Sequence, residues 1–146
     1  MSNHEFLFTP GLWVGEGRVT FSKSPNILRF YTKWEITKDD EGMLSCAQRV
    51  EMQGREEDVI NTFAVFDVTS TNFILELTNE QLGIVLGKGI IEPKTIAWEF
   101  RGDTEFQGFE VYELQDNGDY MLHAEYTSTE HYRTTIDGRI WEKEEK

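Results

Sequence analysis

The chain has 146 residues and a mass of 17.0 kDa, which suits one domain with its own hydrophobic core. Its net charge of -13 disfavours nucleic acid as a partner, because a phosphate backbone is bound by a basic surface. An acidic surface also repels anionic lipids, and no apolar run approaches the roughly 18 residues of a membrane helix. Residues 1–8 lack the features of a signal peptide, and Cys46 has no partner for an internal disulfide. We therefore expect a cytoplasmic protein with no membrane partner.

Apolar and polar residues alternate along most of the chain, as in half-buried β-strands. The Asn117-Gly118 pair between two alternating runs is the strongest hairpin signal in the sequence. Residues 3–8 and 79–82 are the best helical candidates, and the charged tail at 142–146 is expected to be disordered. We predict ten strands at residues 12–21, 27–37, 43–53, 58–68, 73–78, 83–91, 95–101, 107–115, 120–129 and 131–141.

Ten consecutive hairpin-linked strands leave exposed sheet edges unless the sheet closes on itself. The simplest closed form is an up-and-down barrel, so we predict an all-β chain in which residues 1–146 form one antiparallel barrel. A barrel of this width usually holds a cavity. Two glycine pairs, Gly15 with Gly17 and Gly87 with Gly89, are predicted to bend or bulge their strands, because neither leads into a helix as a phosphate loop would.

The first strand begins Gly-Leu-Trp at residues 11–13, and Arg139 lies near the end of the last strand. A Gly-X-Trp at this position, with an arginine of the last strand packed on the indole, is the signature of the lipocalin and calycin group, which the chain resembles over nearly its whole length. The resemblance implies a structural cation–π stack of Arg139 on Trp13. Residues 11–17 are also similar to the opening of nitrobindin-like and fatty-acid-binding-protein-like bacterial barrels. The interval 22–26 is too short for the helical lid of fatty-acid-binding proteins.

The alternation places one face of each strand inside the barrel, and these faces are rich in aromatic residues. The aromatic side chains either fill the core or line an apolar pocket, and the sequence leaves both readings open. Tryptophan and tyrosine provide a polar group within an apolar space, which favours them as pocket residues. The predicted ligand-binding residues are Phe30, Trp34, Trp98, Tyr112 and Tyr126.

The sequence indicates no catalytic nucleophile, metal site or cofactor. No serine lies in a Gly-X-Ser-X-Gly turn, and Cys46 is typical of a small buried residue. The three histidines, His4, His123 and His131, have no recognisable metal-ligand spacing. Nitrobindin-like barrels bind haem through one histidine late in the chain. His131 lies late in this chain, but its neighbours do not match a haem motif that we recognise.

We predict that the protein binds a small apolar or amphipathic molecule in an aromatic-lined cavity, without a covalent step. One alternative is an isomerase or lyase that uses the same cavity and an inward ionisable group: His131, Glu110 or Glu113, of which the two glutamates lie on opposite faces of their strand. A buried glutamate would have a raised pKa. The other alternative is a protein-interaction module with a filled barrel. Its contact residues would be Val14, Ile27 and Tyr31. The oligomeric state stays open.

Overall fold

The computed structural model describes residues 4–101, 107–127 and 133–143. They form a single closed barrel in which each strand pairs antiparallel with its neighbours in the chain, and the last strand pairs with the first. This confirms the predicted all-β, up-and-down barrel of ten strands. The strands are β1 (Gly11–Phe21), β2 (Ile27–Lys38), β3 (Leu44–Met52), β4 (Val59–Phe66), β5 (Asn72–Asn79), β6 (Gly83–Glu92), β7 (Thr95–Phe100), β8 (Gln107–Leu114), β9 (Tyr120–Thr127) and β10 (Arg133–Glu142).

Neither helical candidate forms a helix in the described residues. Residues 6–8 are a turn, and Leu7 has a φ of 76°, a left-handed conformation that interrupts a helix. At 80–82 the side chain of Asn79 accepts hydrogen bonds from the backbone N–H groups of Gln81 and Leu82, at 3.1 and 2.7 Å. Asparagine favours such turns because its short side chain substitutes for a backbone acceptor. Among the described residues, no helix is long and apolar enough to cross a membrane.

The segment before β1 closes one end of the barrel. Phe6 and Leu7 insert between the strands and are completely buried. His4 is buried beside them: its Nε2 donates to the carbonyl of Glu92 at 2.7 Å, so its Nδ1 accepts from the hydroxyl of Tyr120 at 2.6 Å. The N-terminal segment is therefore tied to β6 and β9, and we call this end of the barrel the closed end.

Toward the other end of the barrel, the described inward side chains are less completely buried and keep part of their surface exposed. They lie at alternate positions on the same strand faces as the buried residues, so they point into the barrel. We call this region the open half. It includes the half-buried interior residues Phe21, Leu28, Gln48, Val50, Met52, Asn61, Asn79, Glu110, Tyr126 and Ile136.

The paired glycines do not form the predicted bulges. Pairing runs without interruption past Gly17 on β1 and past Gly89 on β6. Instead, Gly17 and Gly89 allow adjacent strands to approach closely. A Cβ on Gly17 would collide with the carbonyl oxygen of Asp137 and lie 2.8 Å from the ring of Phe30, and one on Gly89 would collide with the ring of Phe73. Glycine is required at these positions because neighbouring groups pack closely over the strand. The sequence pattern does not distinguish this requirement from the need for a bend.

The structure corrects the predicted stack of Arg139 on Trp13. Trp13 faces the interior, where its ring contacts Phe6 and Tyr120. Arg139 pairs with Glu16 across the β1–β10 ladder, and directly opposed residues share a face, so its side chain lies outside. There its guanidinium lies 4.8 Å from the ring centre of Trp141. Strand β10 also continues to Glu142, which the sequence prediction had placed in the tail; residues 144–146 lie outside the described residues.

Candidate functional site

The candidate site is built around a carboxyl group inside the barrel. Alternation along β8 turns Glu110 and Tyr112 inward and leaves Glu113 exposed. The Tyr112 hydroxyl donates to Oε1 of Glu110 at 2.6 Å, and the Tyr126 hydroxyl donates to Oε2. Trp98 lies directly opposite Glu110 on β7. We call Glu110, Tyr112, Tyr126 and Trp98 the Glu110 cluster.

The surroundings of this carboxyl shift its pKa in two opposite directions. Burial raises the pKa of Glu110, while the hydrogen bonds from Tyr112 and Tyr126 and the nearby Trp98 indole N–H lower it by a smaller amount. No acceptor lies within normal hydrogen-bond geometry of the Trp98 Nε1, so its effect is that of a nearby dipole. Although Glu110 keeps some exposure toward the open half, its carboxyl lies deep enough for burial to dominate.

Both tyrosines of the Glu110 cluster stay protonated. Burial, followed by the charge of Glu110, raises the pKa of Tyr112 and of Tyr126 well above the ordinary value of 10.0. Each hydroxyl is therefore available as a donor throughout the physiological pH range. The cluster consequently presents a carboxyl held by fixed donors, next to apolar surface.

Another strip of the interior carries a row of amides that crosses four consecutive strands. Asn79 Nδ2 donates to Asn61 Oδ1 at 3.0 Å, and Asn61 Nδ2 donates to Gln48 Oε1 at 2.9 Å. Gln48 Nε2 then donates to the Thr32 hydroxyl at 3.2 Å. We call these four residues the amide row. Hydrogen bonds within the row satisfy part of its polar groups, and each amide keeps further donor or acceptor capacity.

The sequence analysis missed the amide row, although a signal was present. Gln48 lies in phase with Cys46 on β3, and Asn61 lies in phase with Phe63 on β4; both of these neighbours are buried. A polar residue on the apolar face of a predicted strand marks a buried polar network or a site. The four partners come from separate strands, so only the register shows that they meet.

All five predicted ligand-binding residues face the interior, but they lie in two different places. Trp34, Trp98 and Tyr112 belong to the packed aromatic core, where the Trp98 and Tyr112 rings stack with centres 5.0 Å apart. Tyr126 lies in the open half. The ring of Phe30 packs over Gly17 on β1 and Gly138 on β10. A ligand contact by any of the five stays a prediction.

The remaining candidate residues lie away from the Glu110 cluster. His4 is at the closed end, His123 is on the outer face, and His131 lies outside the described residues. Burial raises the pKa of Cys46 to about 12, so its thiol stays protonated and is a poor nucleophile. Within residues 4–101, 107–127 and 133–143, no three His, Cys, Asp or Glu side chains are grouped to hold a metal ion.

Apolar side chains also occur on the outer face, where the interaction-module alternative placed its contacts. Ile27 and Tyr31 are 57% and 53% exposed and border a groove of about 600 Å³, whereas Val14 is half-buried. On β6, Ile84 and Leu86 are exposed as well, at 68% and 58%. Such residues are common singly on soluble domains, and the role of this face in binding a partner stays a prediction.

Several solved structures, including the following two, resemble this barrel. The S-type phycobiliprotein lyase CpeS from Guillardia theta superposes with a TM-score of 0.73 at 12% identity, over 100% of this chain and 95% of that chain. A DUF3598-family protein of unknown function from Nostoc punctiforme gives a TM-score of 0.54 at 14% identity, over 89% of this chain and 46% of that chain.

Neither a protein-family model nor a curated protein matches the sequence. At identities this low the two structural likenesses show the fold, a closed antiparallel β-barrel, and carry no activity with them. The finer resemblance to nitrobindin-like barrels stays a prediction.

Proposed function

We propose that the protein binds a small apolar or amphipathic molecule in the open half of its barrel. The observation that carries this proposal is the incomplete burial of inward-facing residues there, including Val50, Tyr126 and Ile136. Small-molecule sites are concave, mostly apolar and supplied with a few convergent polar groups. The Glu110 cluster and the amide row supply such groups within otherwise apolar walls.

The arrangement of polar groups supports an amphipathic ligand. Glu110 and Gln48 lie on β8 and β3, which are not neighbouring strands in the barrel order. A molecule between these strands would meet a carboxyl on one side and amides on another, with side chains such as Phe21 and Met52 around it. The likeness to a phycobiliprotein lyase agrees with a barrel that takes up a small molecule.

A neutral fluorescent dye tests whether the open half admits a ligand. N-phenyl-1-naphthylamine fluoresces strongly in apolar surroundings, and we expect its fluorescence to rise and saturate with added protein. Val50→Trp fills the open half from β3 and should weaken dye binding by about tenfold or more. Glu51→Trp adds the same side chain to the exposed outer face of the same strand and is the matched control.

Circular dichroism and the thermal midpoint establish that both variants are folded. Failure of the wild-type protein to bind the dye would contradict the proposal. Equal binding by wild type and Val50→Trp would contradict it too, because the dye would then lie outside the barrel.

A second candidate function, an isomerase or lyase in the same cavity, is favoured by the inward position of Glu110. A buried carboxyl with a raised pKa can donate or accept a proton, as acid–base catalysis requires. The test is incubation with biliverdin, a bilin, followed by chromatography and mass spectrometry of the extracted pigment. A product formed by wild type but not by Glu110→Gln would support this candidate, and an unchanged pigment with both proteins would contradict it.

A further inference from the structure

Within the described residues, the interior of the barrel presents a carboxyl that is paired with no basic side chain. Glu110 faces inward on β8, and its two hydrogen-bond donors, the hydroxyls of Tyr112 and Tyr126, are both neutral. Among the described residues, the lysines and arginines lie in turns and loops or on outward-facing strand positions, apart from Lys38, which is exposed at the closed-end terminus of β2. Arg49 and Arg139, for example, pair with Asp58 and Asp119 on the outside.

Such a carboxyl discriminates strongly between ligands of different charge. An anionic ligand would bring a second negative charge beside Glu110 in a poorly solvated space, which is unfavourable unless a proton is taken up. A neutral ligand would leave the carboxyl with its two tyrosine donors. A ligand with a protonated nitrogen would supply both a counter-charge and a charge-assisted donor. The net charge of -13 also attracts cationic ligands and repels anionic ligands at long range.

The carboxyl is placed where a ligand in the open half can reach it. Glu110 retains partial exposure, and so do Tyr126 beside it and Ile136 on the next strand along the barrel wall. Ala124 is the residue directly opposite Glu110 on β9, and its side chain places only a methyl group on that side of the carboxyl. On the other strand beside β8, the ring of Trp98 is buried and stacks on the ring of Tyr112, so it packs against this donor from the core.

We propose that the ligand of the barrel carries a protonated amine, and that Glu110 binds this group as a carboxylate. The inference rests on the proposed binding function and specifies its ligand class. If Glu110 is protonated in the free protein, binding breaks its O–H bond, the proton passes to the buffer, and the ammonium N–H groups donate to the carboxylate. Tyr112 and Tyr126 keep their hydroxyl protons and remain as donors.

Three naphthyl compounds of similar shape test the charge preference by isothermal titration calorimetry at pH 7.5. They are 2-(1-naphthyl)ethylamine, which is an ammonium ion, 2-(1-naphthyl)ethanol, which is neutral, and 1-naphthylacetate, which is an anion. We expect the ammonium compound to bind about tenfold or more tightly than the alcohol, and the anion to bind most weakly.

Two variants of β8 assign this preference to Glu110. Glu110→Gln should reduce the preference for the ammonium over the alcohol to about threefold or less, while the alcohol affinity changes little. Glu113→Gln removes the same charge from the exposed face of the strand and should keep the preference. A preference that survives in Glu110→Gln would overturn the proposal, because it would then arise from the overall charge.

Titration of the wild-type protein in two buffers of different ionisation enthalpy gives a measurement that needs no variant. If Glu110→Gln does not fold, this measurement decides when it is repeated from pH 5 to pH 7.5, a range above the ordinary pKa of a glutamate in which the raised pKa of Glu110 is sampled. Release of protons within this range with the ammonium compound but not with the alcohol supports the proposal, and equal values for both compounds at every pH overturn it. Binding of the dye together with equal affinity for ammonium and alcohol would overturn the ligand class alone. Binding of neither the dye nor any naphthyl compound would overturn the proposed function itself.

Discussion

At the closed end of the barrel, the ring of Phe6 contacts four other aromatic rings, whereas at the open end Phe21 keeps part of its surface exposed. Both residues are phenylalanines that face the interior, so the difference lies in what surrounds them. The N-terminal segment supplies extra apolar side chains to one end and none to the other. Hydrophobic burial, which is roughly proportional to the apolar area removed from water, is therefore concentrated at the closed end.

The two ends also differ in how fully their polar groups are hydrogen-bonded within the protein. At the closed end, His4 lies between the Glu92 carbonyl and the Tyr120 hydroxyl, and these bonds hold the N-terminal segment in place. In the open half, the partners of Glu110 and Gln48 among the described residues are neighbouring interior side chains, and both residues retain exposure. Polar groups that are fully hydrogen-bonded within the chain contribute stability. Polar groups that keep unused hydrogen-bonding capacity are suited to a ligand.

The largest effect that we expect comes from removing the ring at the centre of the closed end. Phe6→Ala should lower the free energy of unfolding by about 3–5 kcal/mol, because it leaves a cavity among packed rings. Phe21→Ala should cost about 1 kcal/mol, since its ring is already partly exposed. Urea unfolding of the two variants measures the difference. Equal losses would mean that the two ends are packed to the same extent.

The next effect concerns the charge of Glu110. Its folded-state pKa is raised by burial, so as the pH rises above about 4.5 the unfolded chain loses this proton first and stability declines until the folded-state pKa is passed. Glu110→Gln has no such decline. We expect it to be more stable than wild type by roughly 1 kcal/mol above that pH range, with the gain disappearing below it.

Urea unfolding across this pH range measures the dependence, and Glu113→Gln on the outer face of the same strand is the control. A gain for Glu110→Gln that persists unchanged at low pH would contradict burial of the charge as its cause.

The smallest effect that we expect is on the outer surface, where another titratable group has charged partners. Hydrogen bonds to Asp137 and then to Glu125 raise the pKa of His123, although its side chain is 43% exposed. The stability that these hydrogen bonds contribute is complete below the unfolded-state pKa near 6.5, and it is lost as the pH rises through the higher folded-state pKa. His123→Gln should therefore lower stability by less than about 1 kcal/mol at pH 6 and negligibly at pH 9.

Thermal unfolding at the two pH values measures this difference. An effect at pH 6 larger than that of Glu110→Gln at pH 8 would reverse the expected ranking of the buried and exposed groups.

The alternation of the sequence was sufficient to predict the ten strands and the inward positions of Trp34, Trp98 and Tyr126. Side chains on a strand point to opposite faces in turn, so a period of two identifies the buried face from local sequence alone. The same reasoning placed Glu110 and Glu113 on opposite faces. It did not decide which of them was inside, and it left the amide row unnoticed.

Contacts between strands depended on the tertiary structure. Tyr126 meets Glu110 across 16 residues of chain, and Phe6 reaches the aromatic core through an N-terminal turn that has no strand periodicity. Arg139 had been expected on Trp13, but the β1–β10 register pairs it with Glu16, and one residue of register changes the face. The sequence by itself determined the strands and their buried faces, because these depend on neighbours in the chain. Register and the grouping around Glu110 were decided only by the packing of the whole barrel, because they join residues that are distant in the sequence.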